Sequence, residues 1–167
     1  MKIRPEVEQD REAVYALNRA AFESNTEADL VNALRIQANP NISLVAEEAG
    51  EIVGHIMFSP ATLSADSATP VIGLAPMAVI PGRQRQGIGS ALVRSGLEAC
   101  KKLGYLAVFV LGHPQYYPRF GFVPASRFGI SPVYDVPDEV FMALELIPGA
   151  LSAKAGKMHY HKAFDGL

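Results

Sequence analysis

The sequence predicts an α/β fold built on a mixed sheet. Three features support this: an early pair of amphipathic helical segments, a following meander of β-rich runs, and a strand–helix–strand unit over residues 71–111. The chain has 167 residues, of which 49% are hydrophobic, so it can bury one sizeable core but is too short for two ordinary domains. We expect one domain over residues 1–148 and a C-terminal extension, residues 149–167, packed on it.

The N-terminal segment is predicted to form a short strand and two helices. A strand is expected at residues 2–4, and apolar residues at helical spacing indicate a helix over residues 8–22. Thr26 is the predicted N-cap of the second helix, because acidic residues follow in what would be its first turn. Asn39-Pro40 is expected to end that helix, since proline lacks the N–H that a continuing helix needs.

The rest of the chain is predicted to form strands around one long helix. Ala49-Gly50 indicates a hairpin turn between two β-rich runs, and Gly104 is the predicted stop of the long helix. Residues 126–137 are rich in turn-forming residues and are expected to be a loop. The predicted strands cover residues 42–47, 51–58, 71–79, 106–111 and 141–147, with an edge strand around 158–164, and the long helix covers residues 87–103.

The turn between strand 71–79 and the long helix has the features of an anion site. The first N–H groups of a helix lack intrahelical partners and lie at its positive end, where they attract anions. Gly87 and Gly89 leave room for a ligand to approach, and Arg83 and Arg85 add positive charge. The turn is not a P-loop, because Ile88-Gly89 stands where Lys-Ser or Lys-Thr would be needed, nor a dinucleotide fingerprint, because Leu92 replaces its third glycine.

Two motifs resemble those of one enzyme superfamily. Gln84-x-x-Gly87-x-Gly89, after an apolar strand, resembles the acyl-CoA pyrophosphate signature of the GNAT superfamily of N-acetyltransferases. The segment LGHPQYYPRFGF contains Tyr117-x-x-x-Gly121-Phe122, which resembles that family's short helix and following strand, whose tyrosine faces the thioester sulfur. On these motifs the chain is identified as a member of an uncharacterised bacterial-type branch of the superfamily.

The resemblance implies a mixed, mostly antiparallel sheet with helices on both faces and a splayed central pair of parallel strands. Pro76 fits the splay, because proline inside a strand cannot donate a ladder hydrogen bond and favours a bulge. The pantetheine arm of acetyl-CoA would enter the gap and pair with the strand. The resemblance implies that the donor is bound by Met77, Ala78, Val79, Gln84, Arg85, Gln86, Gly87, Ile88, Gly89 and Ser90.

The resemblance also implies direct attack of a substrate amine on acetyl-CoA, with Tyr117 returning a proton to the thiolate. The general base is open: Glu27 on the second helix, His55 on the third strand and His113 before the tyrosines are all candidates. Glu27 is preferred, since related enzymes build acceptor specificity on the helix pair. The sequence departs from the fuller family pattern, because Val110 stands where asparagine is often found and the preceding strand ends without a glutamate.

Two alternatives to the N-acetyltransferase stay open: a CoA-binding sensor without transfer, and an acyltransferase with another acyl donor or a hydroxyl acceptor. The formal net charge of −2 argues against a nucleic-acid partner, and the longest apolar run is too short to cross a membrane. His159 and His161 lack a third ligand nearby in sequence, so no metal is expected. The sequence predicts a cytoplasmic protein acting on a small-molecule or peptide amine, with the choice between monomer and homodimer open.

Overall fold

The structure is a computed structural model that describes residues 1–166. Over these residues the fold contains nine strands and three α-helices. Leu167, the last residue of the predicted extension, lies outside the described residues. The strands are β1 Lys2–Pro5, β2 Ile42–Glu48, β3 Glu51–Leu63, β4 Val71–Val79, β5 Ala107–Leu111, β6 Val123–Pro124, β7 Ile130–Pro132, β8 Phe141–Glu145 and β9 Gly156–His159. The helices are α1 Arg11–Phe22, α2 Thr26–Gln37 and α3 Ile88–Lys102, with short 3-10 segments at Glu8–Asp10, Tyr117–Phe120, Ala125–Phe128, Asp138–Val140 and Lys162–Gly166.

The sheet is mixed and mostly antiparallel, as predicted. Its main path runs β1-β2-β3-β4-β5-β8-β6, and β9 joins through pairing with the end of β3 and with β7. Within residues 1–166 the parallel pairs are β4 with β5 and β7 with β9. The helix between β4 and β5 provides the crossover that a parallel pair requires.

Helices cover both faces of the sheet, and each face has its own apolar core. On one face, Val14 of α1 and Leu30 of α2 pack with Phe109 of β5 and with Phe164 near the C-terminus. On the other face, the core contains α3, and Gly96 lets the helix approach closely, because a Cβ there would lie 2.3 Å from the Phe58 ring. Burial of these side chains is the main force that holds the helices to the sheet.

The central parallel strands separate part-way along their length. β4 and β5 pair from Val71 opposite Ala107 to Leu74 opposite Val110, and the pairing ends there. At the same point β4 contains one extra residue relative to β3, because Leu74 to Met77 on β4 spans the same stretch as Phe58 to Ile56 on β3. Such an irregularity is a β-bulge, and it surrounds Pro76 as the sequence predicts.

Several predicted elements differ from the observed ones. The loop expected at residues 126–137 is wrong, because it contains β7, which pairs with β9. β3 runs on to Leu63, since its far end pairs with both β4 and β9. The predicted edge strand around residues 158–164 is also corrected: its strand part ends at His159, and a 3-10 segment follows.

The start of α2 also differs from the prediction, since Asn25 is the N-cap and Thr26 is the first helical residue. The Thr26 N–H donates to the Ser24 hydroxyl at 3.0 Å, so a serine one position further out satisfies the free donor. None of the helices within residues 1–166 combines the length and the apolar character needed to span a membrane.

Candidate active site

A cradle of free backbone donors forms where β4 turns into α3. Gly87 is the N-cap of α3 and has a φ of 86°, a left-handed conformation that suits glycine. The carbonyl of Gly87 accepts the first helical hydrogen bond, from the Ala91 N–H at 3.0 Å. The N–H groups that precede Ala91 in the helix therefore have no intrahelical acceptor, and the positive end of α3 attracts an anion there.

A cavity of about 460 Å³ opens at this cradle. Its lining includes seven of the predicted donor-binding residues, a tyrosine at the start of the 3-10 segment after β5 and an arginine within that segment. Its lining is Met77, Val79, Gln84, Arg85, Gly87, Gly89, Ser90, Tyr116 and Arg119. Arg85 and Arg119 are both exposed, so two cations border the space in front of the helix.

Three of the predicted donor-binding side chains do not line this cavity. Ala78 is buried in β4, and Ile88 packs into the core beneath α3, where it approaches Gly54. Gln86 turns away and accepts a hydrogen bond from Arg83, which also pairs with Glu48. If these three residues contact the donor, their backbone groups would make the contact.

A second cavity, of about 400 Å³, lies over the gap between β4 and β5. Its floor comes from the bulged end of β4 and the end of β5, and its walls come from α1, α2 and two 3-10 segments. The lining residues are Phe22, Glu27, Leu30, Leu74, Ala75, Pro76, Met77, Val110, Leu111, Gly112, His113, Tyr116, Tyr117 and Phe164. The structure thus brings Glu27 of α2 to the same cavity as His113 and Tyr117, which are far from it in the sequence.

Tyr117 is held firmly at the base of this second cavity. Only 7% of the residue is exposed, and its ring packs edge-on against Tyr116 and Phe122. Gly112 makes room for it, since a Cβ at that position would lie 2.4 Å from Tyr117 Cε2. Burial raises the pKa of Tyr117, so its hydroxyl keeps its proton at neutral pH.

His55 is a core residue and lines neither cavity, which removes it as a candidate base. Its Nε2 lies 2.8 Å from the Ser43 hydroxyl and its Nδ1 lies 3.3 Å from Asn18 Nδ2. Since the Asn18 amide can only donate there, Nδ1 accepts and Nε2 carries the proton. Burial lowers the pKa of His55 to about 4, a shift that Glu6 opposes and Arg35 reinforces.

Tyr116 joins the two cavities, a role that the sequence did not indicate. Met77 and Tyr116 line both cavities, so the two spaces adjoin at these residues. The Tyr116 hydroxyl lies 3.1 Å from Ser90 Oγ in the first turn of α3, and the Arg119 guanidinium stacks 4.5 Å from its ring centroid. The one local signal for the role of Tyr116 is the doublet Tyr116-Tyr117 at the start of a short helical segment. Consecutive residues there point in different directions, so the two tyrosines can serve different sides of the site.

A model of the acetyltransferase (GNAT) domain matches residues 2–125. The chain belongs to the GNAT acetyltransferase family. It is 42% identical over 134 residues to the uncharacterized N-acetyltransferase YjhQ of Escherichia coli K12, covering 78% of this chain and 74% of YjhQ. It is 35% identical over 166 residues to the uncharacterized N-acetyltransferase YhbS of the same strain, covering 99% of both chains. The resemblance seen in the sequence is therefore confirmed, and this GNAT protein is an acyltransferase.

Solved structures of the GNAT family agree over nearly the whole chain. The crystal structure of YhbS from Escherichia coli in complex with CoA has a TM-score of 0.91 at 34% identity, covering 98% of this chain and 91% of that one. A GNAT acetyltransferase from Brucella melitensis in complex with acetyl-CoA has a TM-score of 0.81 at 35% identity, covering 98% and 97%. The GNAT-type sheet predicted from the motifs is confirmed by these matches. In the part of the chain that the structure describes, no three His, Cys, Asp or Glu residues are grouped so that they could hold a metal ion.

Proposed function

We propose that this protein transfers the acetyl group of acetyl-CoA to a primary amine by direct attack within a ternary complex. The observation that carries the proposal is the junction of two cavities at Met77 and Tyr116, one at the anion cradle and one containing Tyr117 and Glu27. A donor with a phosphate end and a reactive thioester end needs two such adjoining spaces. The CoA and acetyl-CoA complexes of the two similar structures support this choice of donor.

The donor would bind along the separated edge of β4. Its pyrophosphate would accept hydrogen bonds from the N–H groups at the start of α3, with Arg85 and Arg119 beside it. Beyond Leu74 the β4 backbone no longer pairs with β5, so its edge can bind the amide groups of the pantetheine arm over residues 77–79. The thioester would then reach the second cavity past Met77 and Tyr116.

The proposed chemistry requires a neutral amine, an acceptor for the oxyanion and a proton for sulfur. Glu27 would take a proton from the ammonium, directly or through water, and the free amine would attack the thioester carbon. A backbone N–H at residues 77–79 would stabilise the oxyanion, a contribution worth about 3 kcal/mol in other acyl transfers. As the C–N bond forms and the C–S bond breaks, Tyr117 would give its proton to the thiolate, and the second proton lost by the attacking nitrogen would pass, directly or through water, to the Tyr117 oxygen.

Transfer is favoured over a CoA sensor by the second cavity itself. A sensor needs only the cradle, whereas here a buried, protonated Tyr117 and the carboxylate of Glu27 border one cavity next to the cradle. The proposal also includes the choice of acyl group. Acetyl is preferred because the second cavity must hold the acceptor as well as the acyl group.

The test combines binding with turnover in one titration series. Purified protein is titrated with acetyl-CoA by calorimetry, and thiol release is then followed across a panel of primary amines and alcohols. We expect micromolar binding and thiol release that depends on the amine, with N-acetylated product identified by mass spectrometry. Binding without release from any amine would favour the sensor, release with alcohols alone would favour the hydroxyl acceptor, and absence of binding would refute the donor assignment.

A further inference from the structure

The second cavity, which would hold the acceptor and is called the acceptor cavity below, has a single acidic side chain in its lining. Among the residues that the structure describes there, Glu27 is the one carboxylate in its lining, and no lysine or arginine contributes. His113 lies at the exposed mouth, and the two tyrosines occupy the side toward the donor cradle. One ammonium group can therefore be paired inside the cavity, whereas a second one held within it would have no second carboxylate as a partner.

The wall opposite the tyrosines is apolar and comes from both ends of the chain. Phe22 ends α1, Leu30 lies on α2, and Phe164 comes from the C-terminal 3-10 segment. Phe164 is 7% exposed and belongs to the same core as Leu30. Such a surface binds a hydrocarbon or an aromatic body in proportion to the apolar area it covers.

Phe164 is held in place by the residues before it. Its ring stacks on Tyr160 with centroids 4.9 Å apart, and its N–H donates to the carbonyl of His161 at 2.9 Å. Tyr160 in turn lies directly over β4 at Gly73, where a Cβ would lie 2.6 Å from the ring. The C-terminal segment is thus fixed to the central strand, and its phenylalanine forms a defined wall of the cavity.

We infer that the acceptor is a monoamine with an apolar body, and that Phe164 determines this specificity by packing against that body while Glu27 pairs with the single ammonium. The inference rests on the proposed function for its chemistry, although binding of the amine can be measured without transfer. It implies that residues 149–166 belong functionally to the same domain. Polyamines and other polycations are disfavoured, because the lining offers no second carboxylate to a further ammonium group.

The test uses two amines that differ by one charge, hexylamine and 1,6-diaminohexane. Each is titrated by calorimetry into protein saturated with CoA, which lacks an acetyl group, and each is then assayed for kcat/KM with acetyl-CoA. We expect hexylamine to bind at least about tenfold more tightly and to have a kcat/KM higher by a similar factor, because one ammonium fits and two do not. Equal or tighter binding of the diamine would overturn the inference.

The two readouts separate this inference from the proposed function. Selective binding of hexylamine to the CoA complex without any acetylation would uphold the inference and refute the transfer. Acetylation with a preference for the diamine would uphold the transfer and refute the inference.

The role of Phe164 is tested with F164A and a control, F128A, which removes a half-buried phenylalanine outside the cavity. We expect F164A to weaken hexylamine binding about fivefold or more and to leave methylamine binding unchanged, whereas F128A should change neither. Acetyl-CoA affinity, measured in the same samples, reports whether each variant is folded. Unchanged hexylamine affinity in a folded F164A protein would overturn the assignment of this wall.

Discussion

The hydroxyl of Tyr116 lies 3.1 Å from Ser90 Oγ, linking the 3-10 segment after β5 to the first turn of α3. Gly89 favours this approach, because a Cβ there would make a tight contact of 3.2 Å with the same hydroxyl. Tyr116 therefore sits against the cradle on one side and borders the acceptor cavity on the other. Its ring is held by this hydrogen bond, by the stacked Arg119 and by edge-on packing against Tyr117 and Phe120.

Loss of that hydrogen bond should weaken donor binding. We expect Tyr116→Phe to raise the KM for acetyl-CoA about fivefold, since one such bond contributes roughly 1 kcal/mol, and to change kcat little. Ser90→Ala should have a similar effect. In the double variant the two effects should not add, and additive losses would mean that the two hydroxyls act independently.

The anion cradle should not tolerate a carboxylate. Gly89→Asp introduces bulk against Tyr116 and Met77 and a negative charge at the start of α3, where a phosphate would bind. We expect acetyl-CoA binding to become undetectable by calorimetry. Ser95→Asp, which adds the same charge further along α3, serves as the control and should bind normally; near-normal binding by G89D would rule out this turn as the phosphate site.

Tyr117 should matter for turnover and not for donor affinity. We expect Tyr117→Phe to lower kcat by about a hundredfold, the lower range for loss of a general acid, with acetyl-CoA affinity within about twofold of wild type. Tyr105→Phe is a matched control, since Tyr105 is a largely buried tyrosine outside both cavities. If Y117F keeps full turnover, the thiolate takes its proton from solvent.

Glu27 should control the acidic side of the rate–pH profile. We expect Glu27→Gln to lower kcat by about a hundredfold or more and to flatten the fall in rate at low pH, because the amide cannot accept the proton. Glu23→Gln changes an exposed glutamate that lies outside the cavity and should leave the profile unchanged. A wild-type profile in E27Q would direct attention to His113, which lines the same cavity.

His55 should make the protein less stable in mild acid. Its pKa of about 4 in the fold is lower than the ordinary 6.5, so the unfolded chain takes up the proton first as the pH falls. The stabilisation is complete above pH 6.5 and is lost as the pH falls toward 4, which predicts a decrease of about 2 kcal/mol between pH 7 and pH 5 from this group. The charged groups that act on His55 are Glu6 and Arg35, and both are present in the wild type and in the variant that tests this prediction.

Urea unfolding of wild type and His55→Gln at the two pH values measures this contribution. The variant should be less stable at pH 7 but should lose about 2 kcal/mol less on acidification. His159→Gln, which changes an exposed histidine, should keep the wild-type dependence. An unchanged pH dependence in H55Q would mean that other groups cause the acid sensitivity.

The sequence predicted most reliably where local signals are explicit. β4 was predicted with its observed bounds, because Pro81-Gly82 ends it and a helix follows at once. The short strands β7 and β9 were not predicted as a pair, because Ile130 and Gly156 become partners only through the tertiary fold. A run of three or four residues carries too little periodicity to be distinguished from a loop.

The candidate site was predicted in part for the same reason. Contiguous motifs identified the cradle and Tyr117, and the helix pair suggested Glu27. Phe164 carries no local signal, since it meets Leu30 and Glu27 only after the C-terminal segment has packed on β4. Likewise, spacing alone could not distinguish a buried, hydrogen-bonded His55 from an accessible one.

The separate cores on the two faces of the sheet divide the enzyme into parts that can change independently. The donor cradle rests on the α3 core, whereas the apolar wall of the acceptor cavity, with Leu30 and Phe164, belongs to the core under α1 and α2. Under the proposed function, substitutions in that wall would alter the acceptor while α3, beside the proposed coenzyme site, keeps its own support. Under the proposed function, acceptor specificity can therefore change through residues on one face of the sheet while the core on the other face stays the same.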